Sequence, residues 1–448
     1  MTILKNTLTA AALCSALTGA AQNDYQKTVT ASYKGNIFKP GQVEATDARV
    51  AQLKAPAGFA VTKFADKLEK PRMLAVAPNG DVYVSNRDKG TVTLLRDTNK
   101  DGKADLTKQV AQRDNLHGLA LKDGKLYIAA VREVYAADVK ADGTLSELKT
   151  LYKDLPDAGQ HPNRTLNFGP DGKLYLSVGS TCNACDEPNK ENATLLEIKP
   201  DGSGRRVVAK GLRNTIGFGW HPTTKVLYGF DHGIDWLGDE DQREELNEIK
   251  EGADYGWPFV FADGKANPAD EPPRGLTHEQ YAAKTEKPKL LYTAHSAPLG
   301  MVFNTGGQFP KEYQNDAFVT MHGSWNRAEP SGYKIVRVHF NDQGQPEKFE
   351  DFVTGWLVNN NKEQFGRVCG IAQHADGSLL VSDDANGVIY RVAYAGAAPG
   401  ANLGRKRKQV VKIKDQNNCW QLLKLSCGAG LVPQLELLTP KCSSLPLE

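Results

Sequence analysis

TLNFGPDGKLYLSVGS, residues 165–180, is a complete strand–turn–strand unit. Leu166 and Phe168 alternate with polar neighbours, Pro170-Asp171-Gly172 supplies a tight turn, and Leu174, Leu176 and Val178 resume the alternation. The same theme recurs in PRMLAVAPNGDVYVSN from 71, LHGLALKDGKLYIAA from 116 and IGFGWHPTTKVLYGFDHG from 216. Looser copies are GMVFNTGGQFPKEYQNDAFVTMHGSW from 300 and CGIAQHADGSLLVSDDANGVIYRVAY from 369. The first four begin about 45–50 residues apart, the spacing of propeller blades. Wider gaps before the last two imply insertions, one of them carrying a helix over THEQYAAKTEK, 277–287. One blade cannot bury both faces of its sheet, whereas a ring of blades can. The expected fold is therefore all-β: a six-bladed β-propeller over 56–396, with a short N-terminal extension and an irregular C-terminal tail.

The flanks read differently. Residues 1–21 place Lys5 ahead of an apolar run from Leu8 to Leu17 and small residues at Gly19, Ala20 and Ala21, the pattern of a secretory signal peptide. The run is too short for a membrane span, and no later segment is long and apolar enough for one. The expected location is thus periplasmic or secreted. Residues 22–55 are polar and suit an outer wrap or a closing strand. After Tyr394 a linker-like AGAAPGANLG leads into 397–448, where no blade pattern is found. Lys+Arg 55 against Asp+Glu 53, a formal charge of +2, gives no broad basic field for nucleic acid. Cys182 and Cys185 in STCNACDEPN suit a short-range disulfide in an exported chain; Asp186 stands where a c-type haem motif needs His.

In a propeller the segments entering each innermost strand face the central channel, so functional sites assemble from equivalent points of several blades. His161 and Arg164 stand just ahead of the 165–180 unit. His117 in NLHGLAL, Arg213-Asn214 in GLRNTIGFGW and Arg367 in FGRVCGIA occupy comparable points. Together they predict a cationic pocket with imidazoles, suited to a multiply anionic ligand. The run FDHGIDWLGDEDQREELNEIKEGADYGWP, 230–258, offers hard oxygen ligands for Ca²⁺ around Gly233-Ile234. DTNKDGKAD, 97–105, matches the opening of an EF-hand loop through Asp97, Asn99, Asp101, Gly102 and Asp105, with Lys108 where the bidentate Glu belongs.

HPNRTLNFGPDGKLYLSVGS, GLRNTIGFGWHP, EELNEIKEGADYGWP, MHGSWNRAEPSGYKIVRV and GRVCGIAQHADGSLLVSDDANG follow one another over roughly residues 60–394. As an ordered set this resembles the soluble pyrroloquinoline quinone (PQQ)-dependent sugar dehydrogenases, especially their sorbosone dehydrogenase-like branch. The resemblance implies PQQ and Ca²⁺ at the top of the channel. It implies His161 as general base, Arg213 and Asn214 on the quinone, carbonyls of Gly233 and Ile234 on the calcium, and Arg367 on a PQQ carboxylate. It places Arg164, His117 and Arg327 near the cofactor. The glucose-oxidising branch carries a second Arg two residues beyond the match to Arg367, where this chain has Cys369.

The expected activity is oxidation of a sugar or sugar-derived aldehyde, with electrons leaving to an external quinone or cytochrome because the chain carries no haem motif. A calcium-dependent lactonase-like hydrolase and a non-catalytic binding propeller are the alternatives on the same fold.

Overall fold

The structure, a computed structural model, describes residues 34–157 and 159–396, and beyond them the backbone of three strands in the tail. The expected signal peptide, 1–21, lies outside the described residues, as do 22–33 of the extension. Among the described residues no helix is long and apolar enough to cross a membrane.

Period-two alternation and Gly-containing turns yield antiparallel meanders of four strands each. Blade I is Leu74–Val76, Val82–Asn86, Thr91–Arg96 and Leu106–Gln112. Blade II is Gly118–Lys122, Lys125–Ala129, Val134–Asp138 and Lys149–Tyr152, and blade III is Leu166–Phe168, Leu174–Val178, Thr194–Ile198 and Arg205–Lys210. Blade IV is Gly217–Trp220, Leu227–Asp231, Glu244–Glu248 and Leu290–Tyr292. Before its last strand it carries an insertion with a small hairpin and the helix His278–Ala282, shorter than expected and started by a Thr277/Gln280 capping box. Blade V is Pro298–Phe303, Ala317–Met321, Lys334–Phe340 and Pro346–Val353.

Blade VI takes three strands from the end of the ring, Val368–Gln373, Leu379–Asp383 and Val388–Tyr394. Its outermost strand, Phe59–Ala65, comes from the beginning. That strand closes the ring. It lies just beyond the 22–55 segment from which a closing strand was expected. Part of that segment, Gly41–Gln42, pairs instead with Glu363–Gln364 in a small sheet.

The core is distributed as the ring requires. One apolar cluster fills each seam between neighbours, from Tyr83, Leu94, Leu126 and Ile128 between blades I and II to Phe64, Val82, Leu380 and Ile389 between VI and I. A further cluster sits on the axis, where Met73, Ile216, Leu299 and Cys369 meet from blades I, IV, V and VI. These residues begin their inner strands, and below them the channel opens again into a cavity of about 290 Å³.

The tail forms a compact unit from Gly396 onward. It is not irregular throughout: Gln409–Lys414, Trp420–Ser426 and Gln434–Lys441 make a three-stranded antiparallel sheet. Their alternation is broken by charged and Pro residues, so the blade theme did not reveal them.

Candidate active site

Because strands of a blade alternate in direction, segments entering an inner strand and segments leaving the second strand lie at one face of the ring. That face gathers residues 161–165, 213–216, 295–297 and 364–367 with the loops 179–193, 232–243, 322–333 and 384–387. Hydroxyls of the second strands moor the inner strands there. Met73 N donates to Ser85 Oγ at 3.0 Å, Thr165 N to Ser177 Oγ at 3.2 Å, Gly300 N to Thr320 Oγ1 at 2.8 Å and Gly370 N to Ser382 Oγ at 2.8 Å. In blade IV the buried carboxylate of Asp231 also accepts the amides of Arg213 and Asn214 and the hydroxyl of Thr215, each at 2.8 Å. In blade VI Asp383 accepts the amide of Arg367 at 2.8 Å. Thus the expected site residues are placed through their backbones.

His161 is half-buried and points Nδ1 at Ser180, 3.1 Å from its carbonyl and 2.8 Å from its Oγ. Ser180 Oγ donates its own proton to the Cys182 carbonyl at 2.7 Å, so toward His161 it accepts. Nδ1 therefore carries the hydrogen, and Nε2, with no protein partner among the described residues, keeps its lone pair. Burial, then the positive charges of Arg213 and its neighbours, lowers the pKa of His161 to about 2. The imidazole is a neutral base.

Arg213 reaches the disulfide loop: Nε donates to the Asn183 carbonyl at 2.9 Å, and Nη2 to Asn183 Oδ1 at 2.8 Å and Asp235 at 3.1 Å. The Cys182–Cys185 disulfide is formed. Asn214 turns Nδ2 toward His232 Nδ1 at 3.4 Å, leaving Oδ1 buried and unpartnered. His232, unmarked by the sequence reading, is held at Pro298 O, and burial lowers its pKa to about 4.

Two expected contacts take another form. Arg164 is fully buried and donates to the carbonyls of His161, Pro156 and Asp157. It braces the loop that carries His161 instead of facing a ligand. Arg327 spends its guanidinium on the carbonyls of Asp239, Ala294 and Glu329 and on Glu240. It fastens the 235–240 loop. His117 is buried, with Nδ1 3.0 Å from the Arg164 carbonyl and Nε2 unpartnered; burial lowers its pKa to about 3.

A cavity of about 710 Å³ opens at Asn163, two residues beyond His161, and is lined by Lys39, Lys70, Arg72, Arg87, Asp88, Trp325, Tyr333, Arg367 and Asp384, among others; of the expected site residues only Arg367 lines it. Arg72 lies 2.5 Å from Asp384 and 2.9 Å from Cys369 Sγ, so a guanidinium from blade I stands against the position where the glucose-oxidising branch has its second Arg. Lys70 pairs with Asp88. Among the described residues Lys39, Arg87 and Arg367 have no carboxylate partner. Arg367 donates only to the carbonyls of His322 and Gly323, Arg87 to Asn163, and Lys39 lies over the Trp325 ring. Burial, then the positive charge of Arg367, lowers the pKa of His322 to about 4, and its Nε2 lies 2.9 Å from Asp384.

At the turn expected to hold calcium, Gly233 N donates to Glu244 at 2.9 Å and Ile234 N to Gln242 at 3.4 Å. Among the described residues no donor reaches either carbonyl. A Cβ on Gly233 would stand 1.9 Å from the Gln242 carbonyl, so only glycine allows the turn. The 97–105 loop is closed by its own amides: Asp97 accepts from Asp101 and Gly102, and Asp105 from Thr98. Among the described residues its acids do not form a cluster that could hold a metal.

Arg72 was missed although it precedes an inner strand just as Arg164 does; aligning the repeats would have found it. Lys39 and Arg87 carry no such signal. They come from the polar extension and from a charged loop.

A family model described as TrAA12-like matches residues 53–395. An uncharacterized protein of Borreliella burgdorferi is 31% identical over 76% of this chain and 91% of its own length. A pyrroloquinoline quinone-dependent sugar dehydrogenase of Hypocrea jecorina is 25% identical over 61% of this chain and 73% of its own. In fold, the calcium structure of the Trichoderma reesei family AA12 enzyme superposes with TM-score 0.68 at 22% identity, covering 79% of this chain and all of that one. The holo PQQ domain of Coprinopsis cinerea pyranose dehydrogenase gives 0.66 at 22% identity, covering 80% of this chain and 100% of that domain.

Proposed function

Since the chain belongs to the TrAA12-like family, we propose that it is a PQQ- and Ca²⁺-dependent dehydrogenase that oxidises a sugar or sugar-derived aldehyde. The observation that carries this is the trio Lys39, Arg87 and Arg367, which line one cavity and among the described residues have no carboxylate partner, together with a neutral His161 two residues from its Asn163 wall. The residues fit the cofactor: PQQ bears three carboxylates, and the buried, unpartnered Oδ1 of Asn214 offers a further polar contact. Lys39, Arg87 and Arg367 would hold the carboxylates, Arg213 and Asn214 the quinone side, and the carbonyls of Gly233 and Ile234 the calcium.

When bound, PQQ and Ca²⁺ would supply a hydride acceptor and a Lewis acid. The chain's part is proton transfer and placement. Nε2 of His161 takes the proton of the sugar hydroxyl or aldehyde hydrate, and Ser180 keeps the tautomer that makes this possible. The proton held afterwards on His161 is released readily, because burial and Arg213 disfavour the imidazolium. Electrons then leave to an external acceptor, a quinone or a cytochrome. The 1–21 signal pattern and the disulfide support a periplasmic or secreted location.

Titrating the chain with PQQ and CaCl₂ while following the visible spectrum, then adding sugars and an artificial acceptor, tests the reading. Arg87→Ala and Arg367→Ala should each weaken PQQ binding about tenfold or more. His161→Gln should bind PQQ normally and turn over at least about 100-fold more slowly. Absence of PQQ binding by the unmutated chain overturns the proposal.

A further inference from the structure

The wall of the cavity carries an aromatic pair, a shelf to which the proposed cofactor contacts assign no part. Trp325 lines the cavity, and Trp236 stands edge-to-face against it, ring centroids 4.9 Å apart at 78°. Trp236 is 44% exposed, and it is the only aromatic among the exposed large hydrophobics of the described residues. Its backbone has φ 75°, a left-handed conformation that a bulky side chain adopts only at an energetic cost. Burial of the indole gives little in return.

What holds it there is the site itself. Asp235, the preceding residue, receives Asn326 Nδ2 at 2.8 Å and Arg213 Nη2 at 3.1 Å, and its amide donates to Asn183 Oδ1 at 2.9 Å. The shelf is thus rigidly tied to Arg213 and the disulfide loop. Around it stand hydrogen-bonding groups: Asn36 on Asp239 at 3.0 Å, Glu240 on Arg327 at 2.8 Å with its carboxylate largely exposed, and Lys39 over Trp325.

The exposed indole of Trp236, with Trp325 against it and polar groups nearby, offers too little apolar area to seat a protein or lipid surface. It matches the faces of a pyranose, whose C–H groups stack on an aromatic ring while its hydroxyls reach the polar rim. We propose that Trp236 and Trp325 form a subsite for the saccharide unit next to the reacting one, so that the chain prefers the end of an oligosaccharide to a free monosaccharide. The preference in turnover rests on the dehydrogenase reading; the binding does not.

The test titrates the protein, with and without PQQ and Ca²⁺, with glucose, cellotetraose and maltotetraose while recording tryptophan emission. At least one tetrasaccharide should half-saturate the change at about tenfold lower concentration than glucose. Trp236→Gly suits the left-handed backbone and so keeps the fold, checked by its melting temperature. It should abolish the difference, while Trp236→Tyr retains part of it. In the loaded enzyme the ratio of kcat/KM for tetrasaccharide over glucose should fall about tenfold in Trp236→Gly. Tetrasaccharide binding without any turnover would sink the dehydrogenase reading and leave the shelf standing. Turnover or binding with no advantage of either tetrasaccharide over glucose, or an advantage unchanged in Trp236→Gly, overturns the shelf.

Discussion

At His161 the hydrogen bonds through Ser180 decide which nitrogen is available for chemistry. Replacing Ser180 with Ala removes the Oγ acceptor but keeps the carbonyl, so the ring loses part of its orientation. We expect kcat/KM to fall roughly tenfold with PQQ affinity unchanged, since partners of this kind are worth about 10- to 100-fold. The pH dependence follows from sign. Burial and Arg213 hold the pKa of His161 below the ordinary imidazole value, so the base form persists as pH falls and is lost only when pH passes through the lowered value. The acid limb of kcat/KM should therefore lie well below pH ~6.5; a limb at or above that value would contradict the assignment. The position of His161, ahead of a clear strand repeat, was legible. Arg164 was legible in position but not in role: spacing locates a Cα, and only the packing shows the side chain folding back onto the carbonyls of its own loop.

Among the elements, the inner strands approach one another most closely near the axis, and glycine makes this possible. A Cβ on Gly118 would lie 2.4 Å from the Arg164 carbonyl and 2.9 Å from Thr165 Cα, both in the next blade. Gly118→Ala must push blades II and III apart, and should cost roughly 2–3 kcal/mol in denaturant unfolding. At Gly307 nothing lies within 4 Å of such a Cβ, and Gly307→Ala should be nearly silent. The blades themselves were readable because each repeat brings its own turn and alternation. The mooring hydroxyls were readable too, in VYVS, LYLS and LLVS, had their common register been compared. The closing strand Phe59–Ala65 was not, because its partner lies over three hundred residues away, in Val388–Tyr394, and neither segment announces the other.

In the molecule as a whole, the cationic cavity straddles the seam between first and last blades: Arg72 and Arg87 come from the side of blade I, Arg367 and Asp384 from blade VI. That seam is the one closed by Phe59–Ala65, and Phe64 lies buried within it. Phe64→Ala should lower stability by about 3–5 kcal/mol and also weaken PQQ binding. Leu196→Ala, in the seam between blades II and III, should lower stability by about 2–5 kcal/mol and leave PQQ affinity unchanged. Chemical denaturation and PQQ titration of the two variants check this, and equal affinities in both would separate the cavity from ring closure. Lys39 shows how much of this was beyond sequence reading: a polar segment ahead of the ring completes the cavity's rim, and only the three-dimensional path of the chain brings it there.

The axial cluster of Met73, Ile216, Leu299 and Cys369 acts as a stopper in what would otherwise be an open tunnel. Because this plug is buried and apolar, sugar and oxidant are expected to reach the site from the loop side. Under the proposed activity a spent sugar must depart before the oxidant can approach, so the two visitors would take turns. Double-reciprocal plots of rate against sugar at several acceptor concentrations should then run parallel.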